Sequence, residues 1–266
     1  MERNILYNED CIGKHGMGTY IEDKSIDLIL CDLPYGTTQN DWDSIISFKY
    51  LWAEYKRVIK DNGAILLFAQ TPFDKILGVS NLEMLRYEWI WEKSTGTGFL
   101  NAEKMPLKAH ENILVFYKKL PTYNPIKTKG ALKVSLKESK DKCEKSSTYG
   151  KHINTKDYCS DERYPRSILK FKTDKQNLNL HPTQKPVKLL EYLIKTYTNE
   201  NDLVLDNCMG SGSTVIGCIN TRRDYIGFEL DKEYYNLAKE RIDSHTAAFN
   251  CEVGLFSEEM QKSLFD

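Results

Sequence analysis

Residues 203–214 read Leu203-Val204-Leu205-Asp206-Asn207-Cys208-Met209-Gly210-Ser211-Gly212-Ser213-Thr214, an apolar run closed by an acid and followed by a Gly-x-Gly turn. The pattern predicts a short buried strand at 203–205, a turn at 206–214 and a helix at 215–221. Glycines at such a turn remove Cβ atoms, so that a ligand can lie against backbone amides. About twenty residues on, a second strand at 225–228 runs into Gly227-Phe228-Glu229-Leu230-Asp231, and a carboxylate there can accept hydrogen bonds from both hydroxyls of a ribose. Strand, turn, helix, strand and acid describe an adenosine-binding half-sheet. Gly-x-Gly alone also occurs in plain strand-to-helix turns; Asp206 and Glu229 favour the binding reading. The third glycine of a dinucleotide fingerprint is missing, and GxxxxGK[ST] is absent.

Upstream the same rhythm recurs. Residues 25–31 form an apolar run. Residues 48–60 carry Leu51, Trp52, Tyr55, Val58 and Ile59 at helical spacing, Asp61-Asn62-Gly63 is read as the stop, and 64–69 as the next strand. Pro72 can open a helix, and 87–91 and 112–117 read as further strands. After the turn, 187–197 and 232–242 are helical, the latter amphipathic. This βαβ alternation predicts an α/β, Rossmann-like sheet, mostly parallel, with helices on both faces.

The rhythm breaks at Leu120-Pro121. From there to 179 the chain is polar, with one strand-like piece at 166–171. Between Lys118 and Lys188 there are 16 Lys and 2 Arg against 7 acids, a net +11 in a chain whose total is −1. A basic segment on an acidic body suits a phosphate-binding surface, and equally a solvated lysine-rich loop. Four segments follow: 1–118, an insert at 119–180, 181–245, and a tail at 246–266. Met1-Glu2-Arg3-Asn4 is polar with no apolar run behind it, so no secretory leader is expected, and the apolar runs are too short to span a bilayer. Seven cysteines without CxxC or zinc spacing suggest a reducing, cytoplasmic setting and no structural metal.

The other informative stretch is Asp32-Leu33-Pro34-Tyr35, directly after the strand that ends at Cys31. The carboxyl end of a strand in an open parallel sheet is where ligands bind. An exocyclic base amine is a poor nucleophile, because its lone pair is delocalised into the ring. Asp32 can accept one of its N–H groups and the carbonyl of Leu33 or Pro34 the other. This drives the nitrogen toward tetrahedral geometry, its lone pair aimed at a sulfonium methyl. Acceptors around a nitrogen that gains positive charge bind the transition state more tightly than the ground state. Pro34 fixes the turn, and Tyr35 offers a ring face for an extruded base. The bland alternative is a strand end with an Asx-type turn.

Together these motifs resemble the amino-methyltransferases of DNA, with their (Asp/Asn/Ser)-Pro-Pro-Tyr loop and (Phe/Asp)-x-Gly-x-Gly turn. The order here, catalytic loop, basic insert, cofactor turn, is that of the permuted β class. His181-Pro182-Thr183-Gln184-Lys185-Pro186 is similar to the segment preceding the family's cofactor strand, and Asp10-Cys11 to its acidic position near the cofactor adenine. The resemblance implies S-adenosyl-L-methionine as cofactor. It implies catalysis by Asp32, Pro34 and Tyr35. It places at the cofactor Asp10, Cys11, Asp32, Lys185, Asp206, Asn207, Cys208, Gly210, Ser211, Gly212, Ser213, Thr214, Glu229 and Leu230. The insert becomes a target-recognition region on double-stranded DNA, and the implied reaction is methylation of adenine N6. Asp32 favours adenine N6 over cytosine N4, since the cytosine enzymes more often carry serine there; cytosine N4 methylation and a non-catalytic DNA-binding module of the same fold are the alternatives. A cognate restriction endonuclease and a second copy of the chain are the implied protein partners. Leu33 replaces the commoner first proline, and Asn207-Cys208 replaces Pro-Phe. Trp42 is read as a core anchor or a cover for the flipped base. His110-Glu111 is read as structural, because the methylated ammonium product loses its proton unaided.

Overall fold

The computed structural model describes residues 1–36, 44–135, 144–146, 150–152, 158–172 and 184–263. Trp42 and residues 181–183 lie outside them. The chain divides into two compact units, residues 1–124 with 167–266, and residues 125–166.

In chain order the first unit begins with β1 (Ile5–Tyr7), α1 (Met17–Tyr20), β2 (Ile26–Asp32), α2 (Phe48–Val58), β3 (Ile59–Ala69), α3 (Phe73–Ser80), β4 (Leu85–Thr97) and β5 (Lys108–Phe116). The second unit holds two antiparallel pairs, β6 (Thr128–Ser135) with β9 (Tyr158–Arg163), and β7 (Glu144–Ser146) with β8 (Gly150–His152). Within it, Lys127 pairs with Glu162 at 2.7 Å. The first unit resumes with β10 (Ile168–Lys170), α4 (Val187–Tyr197), β11 (Leu203–Asp206), α5 (Ser213–Asn220), β12 (Asp224–Phe228) and α6 (Lys232–Ser263).

Its eight strands form one sheet in the order β1-β12-β11-β2-β3-β5-β4-β10. All neighbours are parallel except β5, which runs antiparallel to both β3 and β4. Strand alternation makes two cores. Ile29, Cys31, Ile65 and Leu67 face one side with Leu51, Trp52, Tyr55 and Phe73 of α2 and α3. Leu28, Leu30, Ala64, Leu66 and Phe68 face the other with Leu189, Leu190, Leu193 and Ile194 of α4. Both faces are therefore covered, as a largely parallel sheet requires.

Three elements depart from the sequence reading. Residues 59–63 continue β3 instead of ending α2: Ile59 pairs with Ile26, and a bulge follows before Ala64 pairs with Leu28. Gly63 permits that bulge, since a Cβ there would lie 2.8 Å from the carbonyl oxygen of Asp27. The strand-like piece at 166–171 leaves the insert and becomes β10, the parallel edge partner of β4. Helix α6 runs on to Ser263, so much of the stretch read as a tail is helical.

Candidate functional site

Strands β11 and β2 are neighbours, yet their connections depart in opposite directions, to β12 through α5 and to β3 through α2. The carboxyl ends of two such strands part at a topological switch point, where open α/β sheets bind ligands. A cavity of about 1040 Å³ opens there. Every sequence-predicted site residue lines it except Gly212.

At its β2 end Asp32 closes the strand. Its Oδ1 accepts the Tyr35 hydroxyl at 2.7 Å, and its Oδ2 accepts Lys185 Nζ. Lys185 also lies 3.3 Å from Glu111 Oε2, while Lys93 sits 2.5 Å from Glu111 Oε1. Two acids and two lysines thus alternate along a largely buried chain, Asp32 at its open end. Burial pushes Glu111 up, but Lys185 and Lys93 outweigh it and hold the carboxyl below its ordinary value. Burial likewise raises Asp32, and here it prevails over Lys185 and Tyr35. Leu33 is buried in the core, and Pro34 and Tyr35 face the cavity. Tyr35 stacks on Phe73 with centroids 5.0 Å apart, so Phe73 occupies one of the ring's two faces.

At the β11–β12 end the acids meet backbone instead. Glu229 accepts the Gly210 amide through Oε2 and the Asp231 amide through Oε1, each at 2.9 Å. Asp10 accepts the Ile12 amide at 2.9 Å. Asp206 accepts the Cys208 amide at 3.2 Å and the Thr214 hydroxyl, and burial pushes its carboxyl up to about 6. Burial raises Glu229 as well. Asn207 points inward, its Oδ1 taking the Tyr55 hydroxyl at 2.5 Å and its amide nitrogen lying 3.4 Å from Cys11 Sγ. Arg241 of α6 donates to Ser211 O at 2.8 Å and to Ser213 Oγ at 3.1 Å, tying the turn to the last helix. Leu230 is exposed at the rim, where Asn8 holds its carbonyl at 3.1 Å.

Two of the predicted site residues are held by contacts of their own. Gly212 is required by its backbone, with φ +76°, and by α6, since a Cβ there would come within 2.7 Å of Ile242 Cδ1. Lys185 reaches Asp32 and Glu111, at the β2 end. Glu111, read as structural, lines the cavity beside Asp32, as does Lys93, which the sequence reading did not single out. One signal was available: an acid at 111 immediately preceding the buried run 112–116 is out of place unless paired.

A cavity at the switch point of such a sheet, with an Asp-x-Pro-Tyr loop on one strand end and a Gly-x-Gly turn on the next, defines a Rossmann-like methyltransferase. The family model described as DNA methylase, for the N6/N4 enzymes, matches residues 26–240. The chain belongs to that family: it is a DNA amino-methyltransferase that uses S-adenosyl-L-methionine. It is 32% identical over 248 residues to the Type II methyltransferase M.HpaI of Haemophilus parainfluenzae, covering 86% of this chain and 72% of that one. The crystal structure of the M1.HpyAVI–SAM complex superposes with a TM-score of 0.59 at 25% identity, over 89% of this chain and 98% of that one. The cytosine-N4-specific PvuII DNA methyltransferase shares the fold with a TM-score of 0.62 at 16% identity, over 94% and 92% of the two chains. No helix among the described residues is long and apolar enough to cross a membrane.

Proposed function

We propose that the chain methylates the N6 amino group of an adenine turned out of duplex DNA, with Asp32 as the residue that receives that amine. The observation that carries the reading is Asp32 itself. It is a carboxylate at the cavity end of β2, steadied on one oxygen by Tyr35 and on the other by Lys185. Each oxygen keeps a further lone pair, so an incoming amino group can donate to Asp32 without displacing either partner.

The residues at the opposite end suit the cofactor. Bound S-adenosyl-L-methionine supplies a methyl group on a positively charged sulfur, beside an ammonium. Asp10, Asp206 and Glu229 line this half of the cavity, and among the described residues no Lys or Arg pairs with any of the three. Glu229, oriented by two amides, would accept the ribose hydroxyls, Asp10 would face the adenine, and Asp206, which holds the turn through the Cys208 amide, would serve the methionine end. Lys185 serves the amine end, orienting Asp32 and opposing the burial that raises its carboxyl. As positive charge grows on the base nitrogen, Asp32 and the carbonyl of Leu33 or Pro34 stabilise it. Tyr35, backed by Phe73, offers its remaining face to the base. No side chain is needed to remove the one proton that the product must lose, because a methylated ammonium on a purine is strongly acidic.

The acid at position 32 favours adenine over cytosine. Resemblance to Type II relatives supports a restriction-modification setting, with an endonuclease of matching site as partner. The base is settled by incubating purified protein, duplex DNA and methyl-labelled cofactor, then digesting the DNA to nucleosides. Label in N6-methyldeoxyadenosine is expected; label in N4-methyldeoxycytidine overturns the base assignment.

A further inference from the structure

The antiparallel hairpin of β4 and β5 carries a tip that the cavity does not use. Beyond the Thr97–Lys108 pair, Gly98 takes φ +88° and leads into a single 3-10 turn at Phe99–Asn101. Backbone hydrogen bonds close the tip, from Asn101 to Gly98 O, Ala102 to Phe99 O, and Lys104 and Met105 to Asn101 O, at 2.9–3.1 Å. At its neck Gly96 faces Leu107 so closely that an added Cβ would lie 2.9 Å from Leu107 Cβ. The tip is therefore a built structure. Yet it turns Phe99 and Leu100 outward, 77% and 83% exposed, with Met105 and Leu107 about half exposed. Isolated apolar residues on a surface need no explanation; four on one ordered hairpin tip form a contact surface.

The position of the tip says what it touches. Lys93 and Thr97, further down β4, line the cavity, and Lys108 donates to Gln70, another lining residue, at 3.2 Å. A duplex delivering a base into that cavity must lie across this rim. Lys104 and Lys108 follow the apolar pair on the same hairpin and supply charge toward phosphates. Removing a base from the stack leaves a gap, and an apolar side chain entering the gap recovers part of the lost stacking. We infer that Phe99 and Leu100 are a wedge that enters duplex DNA beside the extruded base. The inference rests on the chain acting on an extruded base, and is independent of whether that base is adenine and of the role of Asp32.

The test uses the full chain carrying Phe99→Ala and Leu100→Ala, on a duplex containing its methylation site. Methylation efficiency (kcat/KM for DNA) should fall at least about tenfold, an effect of the size that a lost stacking contact produces. Cofactor affinity and melting temperature should stay unchanged, and Phe99→Trp should retain activity. The deficit should largely vanish on a duplex whose target base faces an abasic site, where the stack is already broken. Wild-type efficiency of the double variant on intact duplex would overturn the wedge. So would an equal deficit on the abasic duplex, which would mark a mere binding surface. A change from dimer to monomer in sedimentation would also overturn it, assigning the patch to a second copy of the chain. The ratio of variant to wild type is read on whichever base is methylated, so an N4-methyldeoxycytidine product leaves this test intact.

Discussion

At the β2 end of the cavity each acid is met by a lysine, Asp32 by Lys185 and Glu111 by Lys185 and Lys93. At the β11–β12 end, Asp10, Asp206 and Glu229 meet backbone amides or a hydroxyl and, among the described residues, no cation. Their titration follows the number of lysines: Glu111, with two, is held below its ordinary value, whereas burial raises Asp206 to about 6, and Glu229 and the singly paired Asp32 in the same direction. A balanced end can hold a neutral base and steady its amine as charge develops. An end left acidic is completed by a positively charged ligand. On this account the protein divides its electrostatics by substrate, internal lysines serving the nucleophile and the cofactor's own charge serving the other half.

The contrast can be broken most severely at Asp32. Asp32→Ala removes the acceptor of the amine, and the single-turnover methyl-transfer rate should fall by about 10³-fold, the size seen when one transition-state hydrogen-bond partner is lost. Because burial keeps Asp32 above its ordinary value, wild-type transfer should also decline on acidification before a solvent-exposed aspartate would protonate. Next comes Lys185→Met, which leaves Asp32 and Glu111 facing one remaining lysine. Breaking a buried pair in this way costs about 3 kcal/mol, measurable as a lower urea midpoint at pH 7.

The acidic end predicts the opposite sign. Asp206 has a folded value near 6 against about 4 when unfolded, so between those pH values the native state binds the extra proton. Stability therefore falls as pH rises through that window. Asp206→Asn should stabilise the ligand-free protein at pH 7 by roughly 2 kcal/mol, and the gain should disappear below about pH 4. Destabilisation at pH 7 would break the comparison. Smallest is Gly212→Ala, which forces a Cβ into the left-handed region against Ile242 and should cost roughly 1 kcal/mol in thermal unfolding.

Much of this architecture was legible along the chain, and the unread parts share a cause. The strand at 203–206, the Gly-x-Gly turn, the strand ending before Glu229 and the Asp32 loop are each local patterns, and all lie at the switch point. The alternating acids and lysines are not local: Lys93, Glu111 and Lys185 come from β4, β5 and the approach to α4, and only the antiparallel β4–β5 register brings the first two together. Asp61-Asn62-Gly63 looks like a helix stop because the bulge it forms depends on Asp27 in another strand. Residues 166–171 resemble part of the insert by composition, and only pairing with β4 returns them to the main sheet. The exposed tip at Phe99 and Leu100 offers no periodicity to read, and burial alone reveals it.

The most direct measurement sets the two ends against each other. For Asp32→Asn and Glu229→Gln, the cofactor Kd is determined by equilibrium binding, and the methyl-transfer rate on duplex DNA is measured with cofactor saturating. The account predicts that Asp32→Asn loses the rate while keeping its Kd, and that Glu229→Gln raises the Kd about tenfold while keeping most of the rate at saturation. An Asp32→Asn variant that transfers methyl at the wild-type rate, or that fails only by losing cofactor, would contradict it.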